Sequence, residues 1–186
     1  MHVFQKTLFA AVLSCCLAAP VMAADEPAEP MKPSAVGKVV MSAANDEFFP
    51  AAASAGMLEI ETSKLALATS QNAQVKAFAK KMVEDHTKAD EELKALAATK
   101  KITLPTAMSK HHQTMFDHLK DEKPGEEFDK AYQNIQVVAH KEAVTLFSKV
   151  STDSKDAEVK AWAGKTLPTL QHHGAMAKDL DKKVNP

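Results

Sequence analysis

Along four long stretches of this chain apolar residues return every three or four positions, and that spacing limits what the chain can fold into more than any other feature. It marks the buried stripe of an amphipathic helix. The stretches cover about residues 46–69, 73–99, 126–150 and 155–181. In the second, "FAKKMVEDHTKADEELKALA", the stripe runs Phe78, Met82, Ala89, Leu93, Leu96, with His86 occupying the place of a leucine. The chain has 186 residues, 45% hydrophobic, and only five glycines. Ala, Lys, Leu, Glu and Met dominate, and no β-branched run alternates for more than a few positions. The expectation is an all-α domain over residues 45–182.

Pro50 falls in the first turn of the first helix, where amides have no intrahelical partner. Pro168 is expected to kink the fourth. Between the second and third helices lies a long connection from Lys100 to Gly125, with Pro105, a short helix carrying Met108, Met115 and Leu119, and the breaker "KPG". A helix of about 25 residues is roughly 37 Å long, and such a connection can traverse that length. The order is therefore hairpin, crossover, hairpin: a ferritin-like four-helix bundle of two antiparallel hairpins joined by a long crossover with a short helix. "VKAFAKK" at 75–81 and "VKAWAGK" at 159–165 echo one another at equivalent places in the two hairpins.

Projection at about 100° per residue separates the inward polar groups from the wet ones. Glu59 falls with Ala52 and Ser63, His86 at the centre of its stripe, His140 within the arc of Ala139, Ala143 and Phe147, and His173 with Trp162, Leu170 and Leu180. Asp90 lies about 40° from His86. Glu61 and His172 turn away. Each long helix thus supplies one inward ligand-type side chain.

Three imidazoles and a carboxylate, Glu59, His86, His140 and His173, could hold a zinc, iron or copper ion, with Asp90 as a fifth ligand or as the acceptor for an imidazole N–H. A self-satisfied hydrogen-bonded His/Glu network is the competing reading. Met82 and Met176 sit one turn from two of the histidines; they would bias a metal site toward Cu(I) or simply fill core gaps. Asp129 is expected to cap its helix start or bond a neighbouring segment, with Tyr132 anchoring that end. His111, His112 and His118 read as surface or interface residues of the crossover.

All 23 basic residues are lysine, and the formal net charge is −1. Without the guanidinium fork or a basic stripe, nucleic-acid binding is not expected. Residues 1–24, "MHVFQKTLFAAVLSCCLAAPVMAA", read as a secretory signal peptide, and residues 25–44 as a Pro-rich flexible leader. The apolar run is too short for a membrane span, and none is expected in the mature chain. Both cysteines, Cys15 and Cys16, lie in the signal, so the mature domain has no thiol for disulfide, nucleophile or metal. Localisation is expected to be periplasmic or secreted; "VLSC" leaves lipoprotein anchoring as the alternative.

"GMLEIETSKLALATSQNAQVKAFAKKMVEDHTKADEELKALA", "FDKAYQNIQVVAHKEAVTLF" and "KTLPTLQHHGAMAK", in that order, resemble the bacterial exported domain-of-unknown-function family four-one-four-two, whose members are labelled predicted outer membrane proteins. The resemblance implies a ferritin-like fold but no reaction, and its motif positions fall on Glu59, His86, Asp129, His140 and His173. The Glu-x-x-His pair of di-iron proteins is absent, because Val83 and Leu170 stand three residues before His86 and His173. The expected role is a non-enzymatic envelope or stress-associated metal binder, a monomer or homodimer with an unidentified protein partner. The alternatives are a structural or interaction protein, and a metal-dependent redox enzyme acting on oxygen or peroxide.

Overall fold

In the computed structural model the described residues are 45–184. The expected signal and leader lie outside them. The described residues form five helices and no strand: α1 Asn45–Thr69, α2 Ala73–Thr99, α3 Lys110–Asp121, α4 Glu126–Asp153 and α5 Ala157–Val184. No helix among them is long and apolar enough to cross a membrane.

Local chemistry sets the helix ends. The Asn72 side chain accepts the amides of Gln74 and Val75 and starts α2, Ser109 Oγ accepts the His112 amide to start α3, and Asp156 Oδ1 accepts those of Glu158 and Val159 to start α5. Gly125, at φ 123°, makes the turn into α4 in a conformation that L side chains rarely adopt. Pro50 lies inside α1 in its early turns. Pro168 lies inside α5, which continues helical through it.

α1 pairs with α2 and α4 with α5; α1 also packs on α4, and α2 on α5. α3 lies chiefly against α1 and touches α4 more lightly. The core has two apolar clusters. One gathers Phe48, Phe49, Leu93, Ala97, Phe147, Val150, Val159 and Leu170, with Phe48 edge-on to Phe49, Phe147 and Trp162 at centroid distances of 5.6, 5.2 and 6.0 Å. The other gathers Leu58, Val75, Phe78, Met82, Leu119, Phe128, Tyr132, Ala139 and Leu180. Burying each of these large side chains contributes roughly 1.5–3 kcal/mol.

The order of the clusters along each helix gives the chain direction. α1 runs from the first cluster to the second, α2 from the second to the first, α4 from the second to the first and α5 from the first to the second. The crossover therefore begins beside the first cluster, where Ile102 and Leu104 pack, and ends beside the second, where Met115, Phe116 and Leu119 pack. The sequence echo has a physical counterpart: Val75 and Ala79 of α2 and Val159 and Ala163 of α5 are all fully buried, each pair near its helix start but at opposite ends of the core.

Candidate metal centre

The two apolar clusters leave a polar layer between them. On α2 His86 separates Met82 of one cluster from Leu93 of the other, on α4 His140 separates Ala139 from Ala143, and on α5 His173 separates Leu170 from Ala177. Glu59 enters the same layer from α1, next to Leu58. All four side chains are buried. Gly174, beside His173, faces α4, where a Cβ would lie 3.4 Å from the His140 Cβ.

The rings form a nearly equilateral triangle, with centroids 5.4 Å apart for His86 and His140, 5.2 Å for His86 and His173, and 5.5 Å for His140 and His173. One ring nitrogen from each lies within 4.8 Å of the other two. Hydrogen bonds decide which nitrogens these are. His86 Nδ1 is 3.0 Å from Glu59 Oε2, His140 Nδ1 is 2.8 Å from the Gln136 carbonyl, and His173 Nε2 is 2.8 Å from Asp85 Oδ2. Each of those acceptors takes an N–H, so in the neutral ring the opposite nitrogen carries the lone pair. The inward atoms are thus His86 Nε2, His140 Nε2 and His173 Nδ1. His140 Nε2 is buried with no hydrogen-bond partner, and His86 Nε2 faces His173 Nδ1 at 3.3 Å.

The electrostatics follow from burial and from the two carboxylates. Burial raises the Glu59 carboxyl, but the charges of His86 and His140 and the His86 hydrogen bond outweigh it and bring it down to about 2. Burial lowers His86, yet the charge and hydrogen bond of Glu59 more than offset that, so His86 is raised. Burial lowers His140. His173 falls to about 4, through burial and then through the charge of His86. At the rim, burial raises Asp85, while its hydrogen bonds to Lys81 and His173 bring it below the usual range and keep it charged. The Lys81 ammonium sits 2.8 Å from Asp85 Oδ2.

The expected ligand set is therefore divided in space. His86, His140 and His173 come together. Glu59 stands behind His86 on its outer nitrogen, with its Oε1 3.5 Å from His140 Nδ1 and no hydrogen bond to that oxygen. Asp90 is half-buried and pairs with Lys94 at 2.5 Å. It lines a small cavity of about 30 Å³ together with Glu59, His86 and Trp162, space for about one water molecule. Glu61 pairs with Lys64, and His172 is exposed. Met82 is buried in the second apolar cluster, and Met176 packs against it.

Two features escaped the sequence reading. Asp85 reaches the outer nitrogen of His173 from α2, although projection places it about 100° from His86, toward the wet side. His112, read from the sequence as a surface or interface residue, is buried against α1, with its Nδ1 2.6 Å from Ser54 Oγ. Its spacing of three from Met115 and seven from Leu119, on one helical face, was the available signal. Asp129 is buried in the first turn of α4, and its Oδ1 makes no hydrogen bond. Tyr132 is buried against Phe78, with its hydroxyl 2.9 Å from Ser63 Oγ.

Comparison with known proteins adds a fold and a family. CopM in its Cu(II)-bound form is similar in structure, with a TM-score of 0.63 at 17% identity over 74% of this chain and 95% of that one. A conserved hypothetical protein, rv2844, from Mycobacterium tuberculosis is similar at a TM-score of 0.55 and 13% identity, over 74% of this chain and 94% of that one. Identities this low establish a shared helical fold alone. No curated protein matches the chain in sequence. The model of the domain of unknown function DUF4142 matches residues 30–180, and the chain belongs to that family.

Proposed function

We propose that this chain is an exported metal-binding protein whose single interior ion is held by His86, His140 and His173, in a four-helix bundle of ferritin-like order. One observation carries the reading: three buried imidazoles turn their lone pairs toward one point while their other nitrogens are committed to acceptors. Imidazoles held from behind by carboxylates or a carbonyl are the usual second layer of a transition-metal site. Tetrahedral ligands at zinc-type bond lengths are about 3.4 Å apart, and His86 Nε2 and His173 Nδ1 already have that spacing.

Three nitrogens without a thiolate suit Zn²⁺, Cu²⁺ or Fe²⁺. CopM is described as a Cu(II)-bound protein of similar fold, which makes Cu²⁺ the first ion to test. The signal-like residues 1–24 support export to the periplasm or beyond. Glu59 and Asp85 serve as positioning groups that fix ring tautomers, and Asp90 stays on the cavity wall.

Metal analysis and calorimetric titration of untagged protein with Cu²⁺, Zn²⁺ and Fe²⁺ test the reading. A stoichiometric interior ion, lost in His140→Leu and in His173→Asn, is expected. Equal melting temperatures with chelator and with every ion would reject it in favour of a structural His/Glu network. The cavity beside His86 favours one second reading, an open coordination position used on oxygen or peroxide. Metal-dependent peroxide turnover abolished by His86→Asn would support that enzyme.

A further inference from the structure

α4 carries a second group of ligand-type side chains on its other face. Glu142 lies two residues beyond His140, about 200° around the helix and roughly 3 Å along it, so it points away from the interior centre. There it meets the first turn of α3. His111 Nε2 lies 3.3 Å from Glu142 Oε1, and His112 Nε2 lies 3.7 Å from Glu142 Oε2. One ligand atom from each of the three residues is within 4.8 Å of the other two, and the two rings are 5.4 Å apart.

We infer that His111, His112 and Glu142 form a second divalent-metal site, open to solvent, for an ion of the Zn²⁺ or Cu²⁺ class. Two imidazoles and one carboxylate select borderline transition metals over Ca²⁺ and Mg²⁺, which prefer oxygen ligands. The observed separations bracket the roughly 3.4 Å edge of a tetrahedral site.

The site is partly built in advance. His112 is buried and held at Nδ1 by Ser54 Oγ, and that hydroxyl is fixed in turn by the Ser109 amide at 2.8 Å. An ion taking the Nε2 lone pair would leave Nδ1–H to donate to Ser54 Oγ, which holds the ring from behind. Glu142 is itself half-buried, while His111 is exposed and adaptable. A bound ion would join α3, which otherwise leans chiefly on α1, to α4. The site complements the interior centre and does not depend on it, since the two occupy opposite faces of α4.

Untagged protein lacking the signal-like residues 1–24, and with them Cys15 and Cys16, is titrated with ZnCl₂ and with CuCl₂, alongside His140→Leu, His111→Gln, Glu142→Gln and the His140→Leu/His111→Gln pair. The wild type should bind two equivalents, His140→Leu one, and the double variant none, with the second equivalent weakened at least tenfold in both His111→Gln and Glu142→Gln. His111 and Glu142 avoid the buried His112, so these variants should fold. Zn²⁺ should also slow amide exchange in the first turn of α3 in wild type and in His140→Leu, and not in His111→Gln. If His140→Leu leaves the stoichiometry unchanged while His111→Gln lowers it, the interior reading fails and the surface site stands. A stoichiometry indifferent to His111→Gln, or unaltered exchange in α3, overturns the second site.

Discussion

Nε2 of His86 and Nδ1 of His173 face one another at 3.3 Å, although each ring has already committed its other nitrogen to a carboxylate. Two lone pairs at that distance repel unless something positive lies between them. A proton on His86 fills the role in the metal-free chain, consistent with its raised affinity for protons beside Glu59. Under the proposed function a metal ion would fill it by displacing that proton.

His140→Leu separates the two main readings. His140 Nε2 is buried without a partner, so an apolar side chain of similar size removes an unsatisfied group. The metal-free variant should be as stable as wild type or more stable by about 1 kcal/mol, judged from the cost of stranded polar atoms. The stabilisation that comes from the interior ion should vanish, leaving only that of an ion held by His111, His112 and Glu142, because each comes from binding to the folded state alone. Thermal melts with chelator and with excess Cu²⁺ or Zn²⁺ measure both effects. A large loss in the chelated variant would mean that His140 is structural.

Asp85→Asn should weaken metal binding by about 10- to 100-fold, the usual effect of losing the acceptor behind a ligating imidazole. The fold should persist, since Asp85 sits at the rim and Lys81 can turn to water. Competition titration against a chromophoric chelator gives the affinity. An unchanged value would show that Asp85 does not position His173.

Acid should destabilise the metal-free protein in two steps. His173 has a folded value of about 4 against 6.5, so it binds protons more readily unfolded. Its contribution is complete above about pH 6.5 and is lost as the pH falls through 4, with His140 shifted in the same direction. Glu59, at about 2 against 4.5, adds a further loss from about pH 4.5 down to 2. His86 is raised and acts oppositely: its contribution is present below 6.5 and fades as the pH rises above it. Denaturant melts should therefore show a decline on the order of 1–3 kcal/mol from pH 6.5 to 4. A stability that rises across that interval would contradict these shifts.

The sequence contains one tryptophan, and Trp162 lines the cavity that also touches Glu59 and His86. One equivalent of Cu²⁺ in the interior should quench its emission, Zn²⁺ should not, and His140→Leu should abolish the effect. Quenching that survives in His140→Leu would place the copper elsewhere.

Periodicity made much of this legible. The helix starts near 73 and 126 agree with the observed ones, and His86, His140 and His173 could be placed inward because a 3.6-residue repeat fixes the direction of a side chain from its position. It does not fix how far that side chain reaches. Glu59 points inward as expected yet stops at the outer nitrogen of His86, and Asp85 leaves its own helix at the side to meet His173. The fourth helix was expected from about 155 and begins at Ala157, after Asp156 caps it. His112 was missed because a twelve-residue helix shows too few turns for its stripe to stand out.

The three histidines also sit far apart along the chain: His86 and His173 are separated by 87 positions. Closing so long a loop is entropically unfavourable until the intervening helices have docked. Neither hairpin alone can assemble the triangle, because α2 contributes one corner and α4 and α5 the other two. A nascent or partly folded chain accordingly offers no such triangle for an ion to nucleate upon, and under the proposed function capture of metal would report that both halves have already found each other.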